Sequence, residues 1–444
     1  MPNYLAQGPI SKAFIRLAAP AVVAQLINIT YILVDKIYIG HISNAGANAL
    51  AGVGITSPIV LAVSALAALV SMGGAPKASI LMGEGKTEEA EKVMGSCVWL
   101  LTVLSLCITV VLLAFGEPIC TIFGASEATL PYATQYLSTL SLGTLFTQLT
   151  LGLNAFIIAQ GKTVTSMINV AIGAIINIVL DGVFVDGFSM GVQGSALGSV
   201  ISQGITACVM AGYLLSSQAL LRLRIKNIRF NKTLLAPCLL LGASPALMQI
   251  TENLVAISFN TSLQAHGGDI AVASMSILTS IMQFIMLLLP GLVQGAQALL
   301  SYNLGARNIS RVKSTFRLLL ASCVTGSFLV WVVCMLLPEP VASLFTNNAA
   351  LVEYTQNSMR VYFAMLLFYG IQVACQYSLV ALDQPKRAIF LTIWRKIILL
   401  IPLIFILPCV VSQPDLGVFM AEPIADTIAV CTTALLFYRY YRKL

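Results

Sequence analysis

The sequence predicts an all-α integral membrane protein: twelve transmembrane helices in two six-helix lobes related by a parallel internal repeat, with a central cavity between the lobes. Three observations carry that reading. Of the 444 residues, 58% are apolar and only 9% are charged, whereas a water-facing surface calls for roughly 25% charged residues. The apolar residues run in stretches matching the roughly 20 residues a helix needs to cross the hydrocarbon. The basic residues sit in alternate breaks between those stretches. Continuous runs argue against a transmembrane barrel, whose strands alternate apolar and polar side chains. A soluble enzyme, a disordered chain and a nucleic-acid-binding domain are excluded by the same composition.

The stretches cover residues 12–40, 47–72, 93–115, 129–156, 163–185 and 191–216 in the first half. In the second half they cover 234–264, 270–301, 313–337, 350–382, 388–411 and 416–438. With both termini in the cytoplasm, every basic residue except Lys36 and Arg360 falls in a cytoplasmic segment or an adjoining helix end. A missed or extra span would scramble that positive-inside pattern. The net charge of +7 is then a loop bias rather than a sign of acidic partners. The opening Met1-Pro2-Asn3-Tyr4 lacks the charged region and short apolar stretch of a cleaved signal, so none is expected. Ten cysteines, with no CxxC pair, read as small buried hydrophobes rather than a disulfide or zinc framework.

The longest polar stretch, Ser217 to Lys232, lies near the midpoint. It divides the chain into an N-lobe (1–216), a basic cytoplasmic linker (217–233) and a C-lobe (234–444). A shift of 222 residues places Ala49-Leu50-Ala51 on Ala271-Val272-Ala273, and Ser79 and Gly83 on Ser301 and Gly305. The same shift places Glu117-Pro118 on Glu339-Pro340. With a slip of two, Gln160-Gly161-Lys162 meets Gln384-Pro385-Lys386. Six spans per half make the repeat parallel, with its axis along the membrane normal. Two such lobes around a cavity suit alternating access.

Ionisable groups far from a helix end are the informative ones, since each costs roughly 2.5–3.5 kcal/mol at the bilayer centre on insertion scales. Three acids qualify: Asp35 in the first span, Asp181 in the fifth and Glu252 in the seventh. Asn177 stands four residues before Asp181 on the same helical face, and Ser199 of the sixth span is expected at the same depth. Two close acids in a low-dielectric pocket do not both ionise cheaply, so one keeps a proton or a cation sits between them. An oxygen-only set suits H⁺ and the hard cation Na⁺ alike, and these residues do not choose between them. The bland alternative is a buried acid that only bonds neighbouring helices.

Other features carry less chemistry. Pro20, Pro58, Pro245, Pro290, Pro402 and Pro408 fall inside apolar spans and suit helices that bend, in a transporter or a static bundle. Gly191, Gly194 and Gly198 form a small-residue face for helix packing. Lys86-Thr87 follows Gly85 like the tail of a phosphate loop, but Ile80 stands where its first glycine belongs, so ATP is not expected as a partner. His41 and His266 lack any metalloenzyme context. Met275, Met282, Phe284 and Met286 line a cavity or, more plainly, fill the core.

Val34-Asp35-Lys36-Ile37-Tyr38-Ile39-Gly40-His41 and the following Ala49-Leu50-Ala51-Gly52-Val53-Gly54 resemble the first-helix signature of multidrug and toxic compound extrusion (MATE) transporters. Asn177-Ile178-Val179-Leu180-Asp181 resembles the family's fifth-helix motif. Gly191-Val192-Gln193-Gly194-Ser195-Ala196 resembles its sixth-helix opening, and the Gln160-Gly161-Lys162 turn also fits. The order and spacing of these segments span nearly the whole chain. The resemblance implies a cation-coupled antiporter, driven by H⁺ or Na⁺, that exports lipophilic and often cationic drugs. It places the prokaryotic branch's cation site on Asp35, Asn177, Asp181 and Ser199, with serine where threonine is commoner, and these four would hold the metal ion if coupling uses Na⁺. A second branch uses C-lobe acids. Glu252 fits the first of these, but the tenth span offers Gln372 and Gln376, with Asp383 only at its end, which favours the N-lobe.

The expected protein is thus a multi-pass transporter of the inner (cytoplasmic) membrane and not an enzyme. Its expected partners are small lipophilic or cationic molecules and the bilayer, without nucleic acid, as a monomer. It is expected to use no cofactor beyond the coupling ion. Gln25, Asn28, Asn154, Gln283, Met286, Gln372 and Gln376 are the candidates for the substrate cavity. The rival reading is a flippase for lipid-linked saccharides, which calls for a basic cavity, whereas the buried charges read from this sequence are acidic.

Overall fold

The computed structural model describes residues 5–42 and 46–444, apart from the side chains of residues 47, 284, 286 and 287. Within them the regular structure is helical throughout. The first six spans are α1 (Ile10–Gly40), α2 (Gly46–Gly83), α3 (Thr87–Ile122), α4 (Leu130–Leu142 with Thr144–Ala159), α5 (Thr163–Gly187) and α6 (Gly191–Leu215). A single 74-residue helix, Lys232–Gly305, follows. At 1.5 Å per residue it is far too long for one crossing of a hydrocarbon core about 30 Å thick. It breaks at Gly268, whose φ of 65° and ψ of −160° only glycine adopts cheaply. The break separates α7 (232–267) from α8 (269–305). The remaining spans are α9 (Ile309–Leu336), α10 (Ala349–Tyr362 with Leu366–Ala381), α11 (Pro385–Val410) and α12 (Pro414–Tyr441).

Twelve spans result, and the two halves bend alike. The fourth is bent by 57° within its helix pair, and its repeat-mate, the tenth, by 49°. The fifth and eleventh each contain a π-helical segment, Gly182–Gly187 and Trp394–Leu400. Large apolar side chains such as Val110, Phe115, Ile175 and Val179 stand exposed on the outside, where lipid covers them. Helices 1–6 pack among themselves, as do helices 7–12.

Several expected boundaries move. α2 runs through Pro76 to Gly83 rather than stopping at 72, and α3 begins at Thr87 rather than 93. Charged residues such as Lys77, Glu88, Glu89 and Lys92 ended the apolar runs, yet the helices continue into the wetted zone where charges are cheap. A second correction concerns Arg395 and Lys396. Both lie in the π-helical middle of α11 and are buried, so they are not cytoplasmic-side residues. The charge bias therefore rests on twenty basic residues rather than twenty-two, and the buried charges are not all acidic.

The two halves meet at the end that carries both chain termini. There a Cβ on Gly73 of α2 would collide with the Cys238 carbonyl of α7, and one on Gly242 of α7 with the Leu69 carbonyl of α2. Small residues let these backbones touch. α1 approaches α8 in the same layer, with Gly295 against Ala18 and Gly291 against Val22. Lys77 of α2 pairs with Asp383 beyond α10 at 2.9 Å, and the Asn303 amide donates to the Leu5 carbonyl at 2.9 Å. The segment between α6 and α7 is held to the first half. Gln160 accepts from the Leu220 and Leu221 amides, and buried Glu91 pairs with Arg224 at 2.7 Å.

Candidate cation site

The wedge between α1, α5 and α6 lies toward the end opposite the termini. Asp35 is five residues short of the end of α1, and Asp181 stands where α5 passes from α-helix into its π-helical segment. Both acids are buried, Asp181 completely, and so is Asn177 one turn earlier. The carboxylates of Asp35 and Asp181 are close enough to act on one another electrostatically. Ser195 of α6 donates its hydroxyl hydrogen to Oδ1 of Asp35. One turn further along α6, Ser199 accepts from the Asn177 amide nitrogen at 3.2 Å. The four residues singled out from sequence thus come together from three helices.

The unpaired atoms define the chemistry. Neither oxygen of Asp181 and not the amide oxygen of Asn177 has a hydrogen-bond partner. Among the described residues no lysine or arginine pairs with Asp35 or Asp181, and Lys36 is exposed. Buried polar atoms are nearly always bonded, and leaving one unmet costs about 1–3 kcal/mol, more when it is charged. Two carboxylates cannot bond one another without a shared proton. Three orphaned oxygens beside a second carboxylate therefore form a set of buried acceptors in want of donors.

Gly198 has a larger part than helix packing. A Cβ there would stand 2.6 Å from Oδ1 of Asp181, so the absent side chain makes the room the carboxylate occupies. At Gly194 the packing reading holds, because a Cβ would press on the Phe184 backbone. Sequence reasoning missed Ser195 as a site residue. Its signal was present: Ser195 and Ser199 are four apart and share one face of α6.

The other candidates disperse. Gln25 and Asn28 are half-buried on α1, and Gln283 is exposed on α8. Asn154 accepts from Ser166 at 2.6 Å within the N-terminal half. Gln372 and Gln376 are buried in the C-terminal half rather than lining an open cavity. Gln372 donates to Gln376, which donates to Thr392 of α11 at 2.7 Å. Met275 is core, and the side chains of Phe284 and Met286 lie outside the described residues.

Glu252 is in a different setting from the N-terminal acids. Lys396 pairs with it at 2.8 Å. Beside them Arg395 binds Asp426 at 2.7 Å and Glu422 at 2.9 Å and lies over the Tyr369 ring. Glu422 and Asp426 went unremarked in the sequence, although two acids four apart in an apolar stretch are a recognisable signal.

The MatE family model matches this chain twice, over residues 20–183 and 245–406. The chain belongs to the MATE family of transporters. Each match lies within the first five spans of one half, and their starts and ends are 225 and 223 residues apart, close to the spacing of the sequence repeat. Multidrug export protein MepA of Staphylococcus aureus (strain N315) is 27% identical over 439 residues, covering 98% of this chain and 95% of its own. The protein of that name from Staphylococcus haemolyticus is 26% identical over 99% and 96% of the two chains. Among solved structures, the MATE multidrug transporter DinF-BH, solved in complex with a drug-like compound, is 30% identical, with a TM-score of 0.89 over 96% of this chain and 95% of that one. An outward-facing MATE transporter superposes with a TM-score of 0.92 over 100% and 98% at 20% identity, a likeness of fold. This MATE protein is accordingly a multi-pass membrane transporter and not an enzyme.

Proposed function

We propose that this MATE transporter exports lipophilic, often cationic small molecules in exchange for H⁺ or Na⁺ taken up at Asp35 and Asp181. The single observation that carries the reading is the trio of orphaned buried oxygens, both of Asp181 and one of Asn177, next to a second carboxylate. A proton shared by the acids meets their need, and so does a desolvated monovalent cation. Asp35 and Asp181 carry the charge, and the Asn177 amide supplies a neutral oxygen. Ser195 and Ser199 hold Asp35 and Asn177 in place from α6.

In the proposed cycle the site loads from the outer side, drug affinity falls, and drug leaves outward. The inward-facing form then releases the cation to the cytoplasm and takes up drug. For a neutral drug, one charge moving inward gains roughly 2.3 kcal/mol per 100 mV. One-for-one exchange with a monovalent cationic drug is electroneutral and draws on the ion's concentration gradient alone. The two rigid units are the N-lobe (1–216) and C-lobe (234–444), joined by the linker 217–233. The protein works as a monomer in the cytoplasmic membrane with both termini inside. Support for the export reading comes from the MepA relatives and from the drug-like compound held by DinF-BH. The lipid-linked saccharide reading finds no support in the site, because the two buried bases suited to a pyrophosphate are already bound to three acids.

The test is uptake of a fluorescent cation into everted vesicles under an imposed pH or sodium gradient. Gradient-driven uptake in the wild type, and none in Asp181→Asn inserted at equal amount, is the expected result. Equal uptake in both would overturn the assignment.

A further inference from the structure

The C-terminal half repeats the three-helix wedge with α7, α11 and α12 in place of α1, α5 and α6. It carries three carboxylates (Glu252, Glu422, Asp426) and, unlike its counterpart, two cations (Arg395, Lys396). The offset that sets Gln160 on Gln384 sets Glu252 on Asn28 and Lys396 on Ile172. The C-terminal charges therefore sit seven residues from the Asp35 position and nine from that of Asp181, about 10–13 Å closer to the termini at 1.5 Å per residue. Glu252 presents a side chain 42% exposed, against 5% for the Lys396 that pairs with it. An acid open on one side is thus capped from behind by a buried lysine.

We propose that Lys396 is a built-in cation. It occupies Glu252 as a tethered counter-ion, so the C-terminal half takes up no travelling H⁺ or Na⁺ and the transporter loads at one site instead of two. The local backbone supports the assignment. The π-helical segment of α11 holds Arg395 and Lys396 side by side in mid-span, where both bury against α7 and α12. Arg395 neutralises one charge of the Glu422–Asp426 pair from within, and Lys396 also feels Glu422. Arg395, Glu422 and the hydroxyls of Tyr362, Tyr369 and Tyr377 from α10 also act on Glu252, but Arg395 is bound to Glu422 and Asp426, so Lys396 is the base that pairs with Glu252 directly. Breaking this part-buried pair leaves Glu252 without its partner, a loss the protein makes good by taking up a proton or a cation.

The idea goes beyond the Asp35–Asp181 reading and is tested independently of it. Infrared difference spectra of the purified full-length protein, with the proton as probe, count protonated carboxyls between about pH 9 and about pH 6, above the ordinary carboxylate range. Wild type and Glu252→Gln should give the same protonated-carboxyl signal. Lys396→Met should add one carboxyl that Lys396→Met/Glu252→Gln loses, while Lys396→Arg should add none. Because the added signal is read between two variants that share intact N-terminal acids, a silent Asp35–Asp181 pair would not mask it. A signal in wild type that Glu252→Gln removes would overturn the proposal, as would a folded Lys396→Met protein with nothing added. Should Lys396→Met not fold, the wild type and Glu252→Gln comparison still decides.

Discussion

Two wedges of one repeat have reached opposite electrostatic solutions. In the N-terminal half, among the described residues, no lysine or arginine forms an ion pair with Asp35 or Asp181, and three oxygens of Asp181 and Asn177 go without a donor. In the C-terminal half every buried acid touches a lysine or an arginine. On the proposed function, the C-terminal site, complete without an ion, holds the structure together, and the N-terminal site takes up the passenger. Duplication supplied the same helices twice, and the placement of two basic residues on α11 separates the roles.

The comparison is broken most severely by removing Arg395. Arg395→Ala removes the base that touches both Glu422 and Asp426, and loss of one partner of a buried pair costs about 3–5 kcal/mol. A large fall in the detergent melting temperature, or absence of folded protein, is expected. Asp181→Asn should do the reverse: melting unchanged or raised, with gradient-driven export gone. A coupling free energy of about 1–3 kcal/mol corresponds to a factor of about 5–150 in drug affinity, and that factor should vanish. Next in size is Gly198→Ala, whose methyl would crowd Oδ1 of Asp181. Overpacking of this kind costs about 1–3 kcal/mol, and export should fall while membrane insertion holds. Ser199→Ala is the mildest. It removes the acceptor of the Asn177 amide, a neutral hydrogen bond worth about 0.5–1.5 kcal/mol, so the cation concentration needed for half-maximal export should change by about tenfold or less. A larger loss would mean that Ser199 itself ligates the ion.

Much of this was legible in the sequence because the bilayer is a strict solvent. Long apolar runs fixed the twelve spans, and a carboxylate in such a run advertises itself, as Asp35, Asp181 and Glu252 did. Their neighbours at four-residue spacing followed from helix geometry, which brought in Asn177. Ser195 stayed hidden in a glycine-rich stretch that reads as packing, since a serine costs little in a membrane helix and so sends a weak signal. Arg395 and Lys396 were misplaced for another reason. They follow Lys386 and Arg387 closely, and a rule that counts bases toward the cytoplasm absorbed them into the loop. Only the acids on α7 and α12, brought near by folding, make their burial tolerable. The helix ends were read short because charges there mark where hydrocarbon stops, not where the helix does.

The account stands on linkage between a cation in the N-terminal wedge and the drug, and equilibrium drug binding measures it most directly. Affinity for a fluorescent cationic drug is titrated on purified protein with and without saturating H⁺ or Na⁺. Wild type should bind drug about 5–150-fold more weakly when the cation is saturating, and Asp35→Asn/Asp181→Asn should bind it equally in both conditions. An undiminished cation effect in the double variant would contradict the account.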